Sequence, residues 1–299
     1  MKVYRNKKSQ HEIMRTYDKL LTLWDVEMEE TDIDTTYGRT HIIVCGNKAN
    51  PPLVLFHGVG DDSALMWIYN AKYLSKYYRI YAIDTLGGPG KSVPGELYNK
   101  DFDDICWIDQ ILDELELPKA YFAGVSHGGY LVQAYTLDRP ERVIKGISIS
   151  GAVPGRKKKE GMPVMLKIFL PEALFPSKKN VKKLITKLCG ENSAVFLDNE
   201  DIMEHYTYLL RGFNNMAMGY HKVRYFTDEE IDRIRDKIVY LVGREDPFEK
   251  LGGEEALRKY RMNVTFYENA GHGLNHEKAE EINKKIVEVF EETVNSFYN

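Results

Sequence analysis

The chain has 299 residues, of which 43% are hydrophobic and 29% charged, and its 45 acidic and 41 basic side chains give a formal net charge of −4. This composition excludes a disordered chain, and the near balance of charge argues against a general nucleic-acid-binding surface, which needs a basic face. The cysteines Cys45, Cys106 and Cys189 show no CxxC spacing and are too few for a disulfide framework, which favours a reducing, cytoplasmic location.

The amino-terminal segment is charged from Lys2 onward, so we expect no signal peptide, and no apolar run reaches the roughly 18 residues of a membrane helix. We therefore expect a soluble protein without a membrane partner. Residues 10–30 predict an amphipathic helix that packs against the body of the protein, with binding of a partner or a membrane as the alternative. Its apolar stripe consists of Ile13, Tyr17, Leu20, Leu21 and Trp24.

Strands and helices alternate along the next part of the chain. Apolar strands are predicted at residues 40–45, 53–56, 79–84, 120–124 and 143–149, with helices at 64–76, 101–115 and 127–138. Continuous apolar strands separated by helices indicate a mostly parallel sheet that is covered on both faces.

This alternation stops between residues 155 and 235, where the pattern is helical without a convincing strand. Strands return at 237–242 and 263–267, and a helix is predicted at 276–297. The sequence thus predicts an α/β core of residues 35–154 and 236–299, a helical arm at 1–34, and an inserted helical cap, or lid, at 155–235.

The most specific motif is Gly124-Val125-Ser126-His127-Gly128, which lies where a predicted strand passes into a predicted helix. In that context Gly-x-Ser-x-Gly is a nucleophile elbow, whose strained turn lifts the serine hydroxyl above the sheet. The glycines leave room for the helix to approach the strand. Ser126 is therefore the candidate nucleophile, and the alternative is a glycine-rich turn without a catalytic role.

A serine nucleophile needs a base, usually a histidine. His272, in the loop Gly271-His272-Gly273 after the last predicted strand, is the candidate general base and acid, with an ordinary loop histidine as the alternative. His127 is disfavoured because neighbouring side chains in such a turn point apart. His276 and His272 have the spacing of a metal-binding pair on a helix, but no third ligand lies nearby, so no metal is expected.

An acid that orients the histidine is expected at the carboxyl end of a strand, where reactive groups gather in open α/β sheets. Asp246 follows the predicted strand 237–242, and Pro247 favours an extended conformation of the residue before it. Glu245 is interpreted as a solvated neighbour. The chain order Ser126, Asp246, His272 differs from the orders of chymotrypsin and subtilisin.

Acyl transfer also needs donors directed at the oxyanion. The turn His57-Gly58-Val59-Gly60 follows the predicted strand 53–56, so the backbone N–H of Val59 is one candidate donor, and the N–H of His127 is the other. The alternative for His57-Gly58 is a plain turn from strand to loop.

Together these motifs resemble the α/β-hydrolase superfamily, and in particular its bacterial carboxylesterase-like serine hydrolases with a helical cap. The resemblance covers residues 35–297 and includes the segment Asp84-x-x-Gly87-x-Pro89-Gly90-x-Ser92. It implies an α/β-hydrolase fold, with a mostly parallel central sheet, helices on both faces and an inserted cap. It also implies hydrolysis through an acyl-enzyme, because relatives that open epoxides or displace halide use an aspartate where this chain has Ser126.

The predicted function is hydrolysis of a small-molecule carboxylic ester without a cofactor, by a monomer or homodimer. Amide, thioester or carbon–carbon bond hydrolysis with the same triad is an alternative, and a non-catalytic small-molecule receptor is an alternative of another class. A methionine-rich surface of the cap supplies candidate pocket residues, although most of them pack the cap against itself in the alternative interpretation. These candidates are Met203, Tyr206, Leu210, Phe213 and Met216.

Overall fold

The computed structural model describes residues 2–155, 167–170, 172, 174–248 and 253–296. It confirms the predicted α/β architecture around one sheet. In the described ranges the nine strands are β1 (Met28–Thr35), β2 (Gly38–Cys45), β3 (Pro52–Phe56), β4 (Arg79–Ile83), β5 (Val93–Pro94), β6 (Ala120–Val125), β7 (Val143–Ile149), β8 (Ile238–Gly243) and β9 (Asn263–Tyr267). Their order is β1-β2-β4-β3-β6-β7-β8-β9, with β5 paired to β2.

The pairing divides the sheet into an antiparallel edge and a parallel body. β1 pairs antiparallel with β2, and β2 pairs antiparallel with β4, whereas every neighbouring pair from β4–β3 to β8–β9 is parallel. Parallel strands end at the same edge, so the loops that follow β3, β6, β7, β8 and β9 meet there.

The helices lie on both faces of this sheet. In the described residues they are α1 (Lys7–Leu21), α2 (Ser63–Met66), α3 (Ala71–Leu74), α4 (Asp104–Glu114), α5 (His127–Asp138), α6 (Lys178–Leu188), α7 (Ala194–Leu197), α8 (Glu200–Gly212), α9 (Asp228–Ile234), α10 (Gly253–Lys259), α11 (Leu274–Glu277) and α12 (Ala279–Ser296). The described part of residues 155–235 holds α6 to α9 and no strand.

Alternation along the strands explains why helices cover both faces. Leu53 and Leu55 of β3 belong to one hydrophobic cluster, which α1, α3, α8 and α12 cover. Val54 and Phe56 point to the opposite cluster, which α4, α5, α9 and α10 cover. Since successive side chains of a strand point to opposite faces, a strand buried on both faces has a continuous apolar sequence.

Three sequence predictions are corrected by the structure. The amino-terminal helix ends at Leu21 with a short 3₁₀ turn to Trp24, and residues 28–35 form an antiparallel edge strand instead of continuing the helix. Only Ile33 of β1 is buried, so the strand lacks the alternating apolar signal. The predicted helix 64–76 is two short helices, α2 and α3, and the closing helix is interrupted at Lys278 between α11 and α12. Residue 297 of that predicted helix lies outside the described residues.

Helix α1 packs against α8, a helix of the predicted cap, and against the body. Asn6 caps its amino end by accepting a hydrogen bond from the Ser9 N–H at 2.8 Å, and its buried face includes Ile13, Tyr17 and Leu20. Gly212 at the end of α8 permits close approach, because a Cβ there would lie 2.7 Å from the Cβ of Ser9. The cap and the amino-terminal helix are thus joined by direct packing.

Within the described ranges, none of the helices combines the length and the apolar character needed to span a bilayer. Cys45 and Cys189 are buried, Cys106 is half-buried, and none of the three forms a disulfide.

Candidate active site

Ser126 occupies a strained turn between β6 and α5. Its backbone angles are φ 56° and ψ −114°, in a region that residues with a side chain rarely adopt. Both glycines of the motif are required sterically, since a Cβ on Gly124 would lie 2.2 Å from the carbonyl carbon of Gly128, and one on Gly128 would lie 2.3 Å from the oxygen of Phe56. The predicted elbow context, strand then tight turn then helix, is present.

His272 and Asp246 meet across two loops at the same edge of the sheet. His272 Nδ1 lies 2.7 Å from Asp246 Oδ2, and the second carboxylate oxygen accepts the backbone N–H of Phe248 at 2.9 Å. The aspartate side chain is 3% exposed and the histidine 19%. A buried carboxylate on Nδ1 fixes the ring so that Nε2 is the free nitrogen, as a general base requires.

Phe248 is an active-site neighbour that the sequence interpretation missed. Its ring lies 4.5 Å from the imidazole of His272, between centroids, and Phe169 of the cap lies 6.2 Å beyond it. The sequence signal that could have identified Phe248 is an aromatic residue two positions after the candidate acid. The apolar ring limits access of water to one side of the imidazole.

We define the oxyanion loop as residues 57–62, which follow β3. A Cβ on Gly58 would touch the Cβ of Ser126 at 3.4 Å, so this loop lies directly beside the candidate nucleophile. Val59 is 53% exposed. Among the described residues, neither the Val59 N–H nor the N–H of His127 at the start of α5 donates to a protein acceptor. Both amides therefore remain available to an oxyanion.

His57 has a structural position at the base of the oxyanion loop. Its Nε2 accepts the backbone N–H of Thr85 at 3.0 Å, and its Nδ1 lies 2.8 Å from the oxygen of Gly58. Burial lowers the pKa of His57, so the ring is neutral and can accept that hydrogen bond.

The far end of the oxyanion loop is held by a buried chain of polar side chains. Asp62 Oδ2 lies 2.8 Å from His205 Nε2 of α8, and His205 Nδ1 lies 2.7 Å from Thr16 Oγ1 of α1. Asp62 Oδ1 also accepts the Leu65 N–H at 3.1 Å and so caps α2. The sequence offered no signal for this chain, because its members come from three distant segments.

His127 and His276 are histidines whose pKa values are lowered. Burial, followed by the charges of His221 and His57, lowers the pKa of His127 to about 3, and its ring packs 5.6 Å from that of Tyr130. Burial lowers the pKa of His276 to about 4, and its Nε2 lies 3.0 Å from the oxygen of Leu65. Among the residues that the structure describes, no three potential metal ligands cluster.

The candidate pocket residues occupy different environments. Met203 and Phe213 are only 4% and 3% exposed and belong to the hydrophobic cluster shared with α1. Tyr206 and Leu210 of α8 are half-buried, whereas Met216 is 69% exposed. Burial, then the charge of Asp61, raises the pKa of Tyr206, so this phenol is a neutral donor near the oxyanion loop.

Ser150 is a second serine at the same edge, following β7. It also has a positive φ, 49°, but it is 7% exposed and no helix begins in the described residues 151–155 that follow it. It lacks the elbow geometry and therefore provides an internal comparison for Ser126.

Comparison with known proteins finds similar sequences and structures over most of the chain. The family described as the alpha/beta hydrolase fold matches residues 51–279. Carboxylesterase YbfK of Bacillus subtilis is 28% identical over 292 residues, 91% of each chain. The uncharacterized carboxylesterase nap of the same organism is 28% identical over 296 residues, 92% of this chain and 91% of its own. The crystal structure of naproxen esterase (carboxylesterase NP) from Bacillus subtilis superposes with a TM-score of 0.80 at 26% identity, covering 96% of this chain and 99% of the other.

Proposed function

Because the chain belongs to the α/β-hydrolase fold family, we propose that it is a serine carboxylesterase that cleaves a small-molecule ester through an acyl-enzyme. The similar carboxylesterases, which match over nine tenths of the chain, support the reaction class. The observation that carries the residue assignment is the hydrogen bond between His272 and the buried Asp246, at the same edge of the sheet as the strained turn of Ser126.

The reaction starts with attack of Ser126 Oγ on the ester carbonyl, while His272 Nε2 accepts the hydroxyl proton. Asp246 keeps the proton of Nδ1 in place and stabilises the imidazolium that forms. The backbone N–H groups of Val59 and His127 bind the oxyanion. Collapse of this intermediate breaks the bond to the alcohol, which leaves with the proton from His272.

Deacylation repeats these steps with water as the nucleophile. His272 removes a proton from water, the hydroxide adds to the acyl carbon, and collapse returns the proton to Ser126 and releases the acid. Every proton moves between the substrate, water and the triad, so the reaction as written uses no cofactor.

The substrate enters between the cap and the sheet. Tyr206 and Leu210 are the pocket candidates with half-buried side chains, and we assign them the lining, with Met216 at the rim. Met203 and Phe213 lie in the hydrophobic cluster against which Tyr206 and Leu210 pack, so they support the lining from behind. An apolar pocket with one phenol hydroxyl suits an uncharged ester of moderate size. A cytoplasmic location and a monomeric or dimeric state stay predictions.

The test is hydrolysis of p-nitrophenyl esters of increasing chain length, together with covalent labelling by a fluorophosphonate probe. Ser126→Ala is expected to lower kcat about 10⁶-fold and abolish labelling. Ser150→Ala, the matched serine at the same edge, should retain both. An unlabelled wild-type protein without esterase activity would contradict the proposal and favour a receptor, and turnover of amide or carbon–carbon substrates alone would reassign the bond cleaved.

A His272→Ala variant tests the base independently. Its kcat should fall about as far as that of Ser126→Ala, because the serine hydroxyl then lacks an acceptor for its proton. Full activity of this variant would contradict the role of the histidine.

A further inference from the structure

Glu277 lies in α11, five residues beyond His272, and its side chain is buried in an unusual set of contacts. The residue is only 4% exposed. Oε1 accepts the backbone N–H of Gly271 at 2.9 Å, and Oε2 accepts the backbone N–H of Gly190 at 2.7 Å. Gly271 immediately precedes the candidate base, whereas Gly190 follows the cap helix α6. One carboxylate therefore joins two segments that are remote in sequence.

We define the histidine loop as residues 269–273 and the cap anchor as residues 188–190. The backbones of these two segments are in direct contact, because the His272 N–H donates to the oxygen of Leu188 at 2.6 Å. A Cβ on Gly271 would lie 2.3 Å from that same oxygen, and a Cβ on Gly190 would lie 2.7 Å from the Cα of Ala270. The two backbones are therefore packed so closely that neither glycine position has room for a side chain.

We propose that Glu277 is a positioning residue, which fixes the histidine loop against the cap anchor so that the seating of the cap sets the position of the His272 imidazole. This inference rests on the proposed function of His272. Glu277 touches neither the nucleophile nor the base side chain, and it acts through the backbone on either side of them.

The electrostatic surroundings of Glu277 fit this role better than a purely stabilising one. Burial, and then the negative charges of Glu245 and Asp246, raise the pKa of Glu277, while the two N–H donors oppose the shift. No lysine or arginine pairs with it among the described side chains. A buried carboxylate without a cation is costly to hold, and each of its oxygens is instead used to fix one backbone segment.

The decisive variant is Glu277→Gln, which keeps the shape but places an NH₂ group against one of the two N–H donors. Since displacement of a catalytic group by about 1 Å costs on the order of 10²-fold in rate, we expect kcat to fall roughly 10- to 100-fold with KM changed less than about threefold. Glu280→Gln is the matched control, because that side chain is 80% exposed and should leave both constants unchanged.

A double-mutant cycle separates positioning from general structural support. If Glu277 acts through the histidine, adding Glu277→Gln to His272→Ala should lower the residual activity no further. An equal loss in both backgrounds would overturn the proposal. So would a Glu277→Gln protein with reduced thermal stability and unchanged kcat, while Ser126→Ala and His272→Ala have lost most of their activity, a result that leaves the proposed function intact.

A second variant covers the case in which Glu277→Gln does not fold. Asn192 Nδ2 donates to the backbone oxygen of Glu277 at 2.9 Å, so Asn192→Ala loosens the same connection from the cap side. A lower kcat with KM maintained would support the proposal, and an unchanged kcat would overturn it. If Ser126→Ala itself stays active, the failure belongs to the proposed function.

Discussion

The two loops that flank the candidate nucleophile are held by different chemistry. The oxyanion loop is fixed through side chains, with Asp62 bound to His205 of α8, which in turn contacts Thr16 of α1. The histidine loop is fixed through its backbone, with N–H groups that donate to Glu277 and to the oxygen of Leu188. Both arrangements connect the site to the cap, but only the first passes through the amino-terminal helix.

This difference predicts different responses to perturbation. The side chains of Asp62 and His205 are both 0% exposed, so their contact depends on the packing of α1 and α8. The histidine loop depends on local geometry, because its backbone N–H groups donate to the Glu277 carboxylate and to the Leu188 oxygen. Disturbing the contacts of the oxyanion loop should therefore lower both the unfolding free energy and kcat. Disturbing the contacts of the histidine loop should mainly lower kcat.

The largest effect is expected at Asp246, the candidate acid that contacts His272. Asp246→Asn keeps the geometry but favours the wrong tautomer of His272, and kcat/KM should fall about 10⁴-fold with little change in the unfolding free energy. Glu245→Gln, an exposed neighbour, is the control. Steady-state kinetics and chemical denaturation test both proteins, and a fall of less than tenfold would reject Asp246 as the orienting acid.

An intermediate effect is expected on the oxyanion side. Asp62→Asn weakens the buried pair with His205, which should cost about 1.5–3 kcal/mol of unfolding free energy. The same change should lower kcat roughly 10- to 100-fold, because the oxyanion loop shifts beside Ser126. Urea denaturation and kinetics measure the two losses.

Asp61→Asn is the matched control for that experiment. Burial, then the charge of Asp62, raises the pKa of Asp61, so its ionised form opposes folding at neutral pH and the amide should leave stability equal or higher. If Asp62→Asn lowers stability and leaves kcat unchanged, the contact with His205 stabilises the protein but does not position the oxyanion donors.

The smallest effect is expected at His41, where the contribution of one buried histidine to the unfolding free energy should depend on pH. His41 Nδ1 lies 3.1 Å from Asp84 Oδ2, and its Nε2 lies 2.9 Å from Glu30. Asp84 also accepts the N–H of Ser63, directly after the loop, at 3.0 Å. Burial lowers the pKa of His41, and Lys91 opposes its charge, but the hydrogen bond and charge of Asp84, together with Glu30, outweigh both and raise it.

Because the pKa of His41 is raised by folding, its contribution to stability is complete below the unfolded value of about 6.5 and is lost as pH rises through the folded value. The difference in unfolding free energy between wild type and His41→Gln should therefore be larger at pH 6 than at pH 9. Denaturation at both values measures it. A difference independent of pH would mean that the pair contributes no proton linkage.

Much of the fold and part of the candidate site were predictable because their signals are local. Ser126 lies in the local motif Gly-x-Ser-x-Gly, and the parallel strands β3, β6 and β8 have continuous apolar sequences. The edge strand β1 was missed because its exposed residues are polar and its partner, not its own pattern, makes it a strand.

The supporting contacts were not predictable for a different reason. Asp62 and His205 are 143 positions apart, and Gly190 and Glu277 are 87 apart. Each of these residues, taken alone, is an ordinary polar residue or glycine of a loop or helix. These contacts form only in the folded protein, between the cap, the arm and the sheet edge. The pattern of a single sequence therefore does not indicate them.

The packing of α1 on α8 also has a consequence during biosynthesis. Leu21 leaves the ribosome 179 positions before Glu200, the first residue of its main partner helix. At roughly 5–20 residues per second, the apolar stripe of α1 waits about 10–35 s for that partner. During that interval the nascent chain carries the apolar stripe of α1 without its partner helix α8.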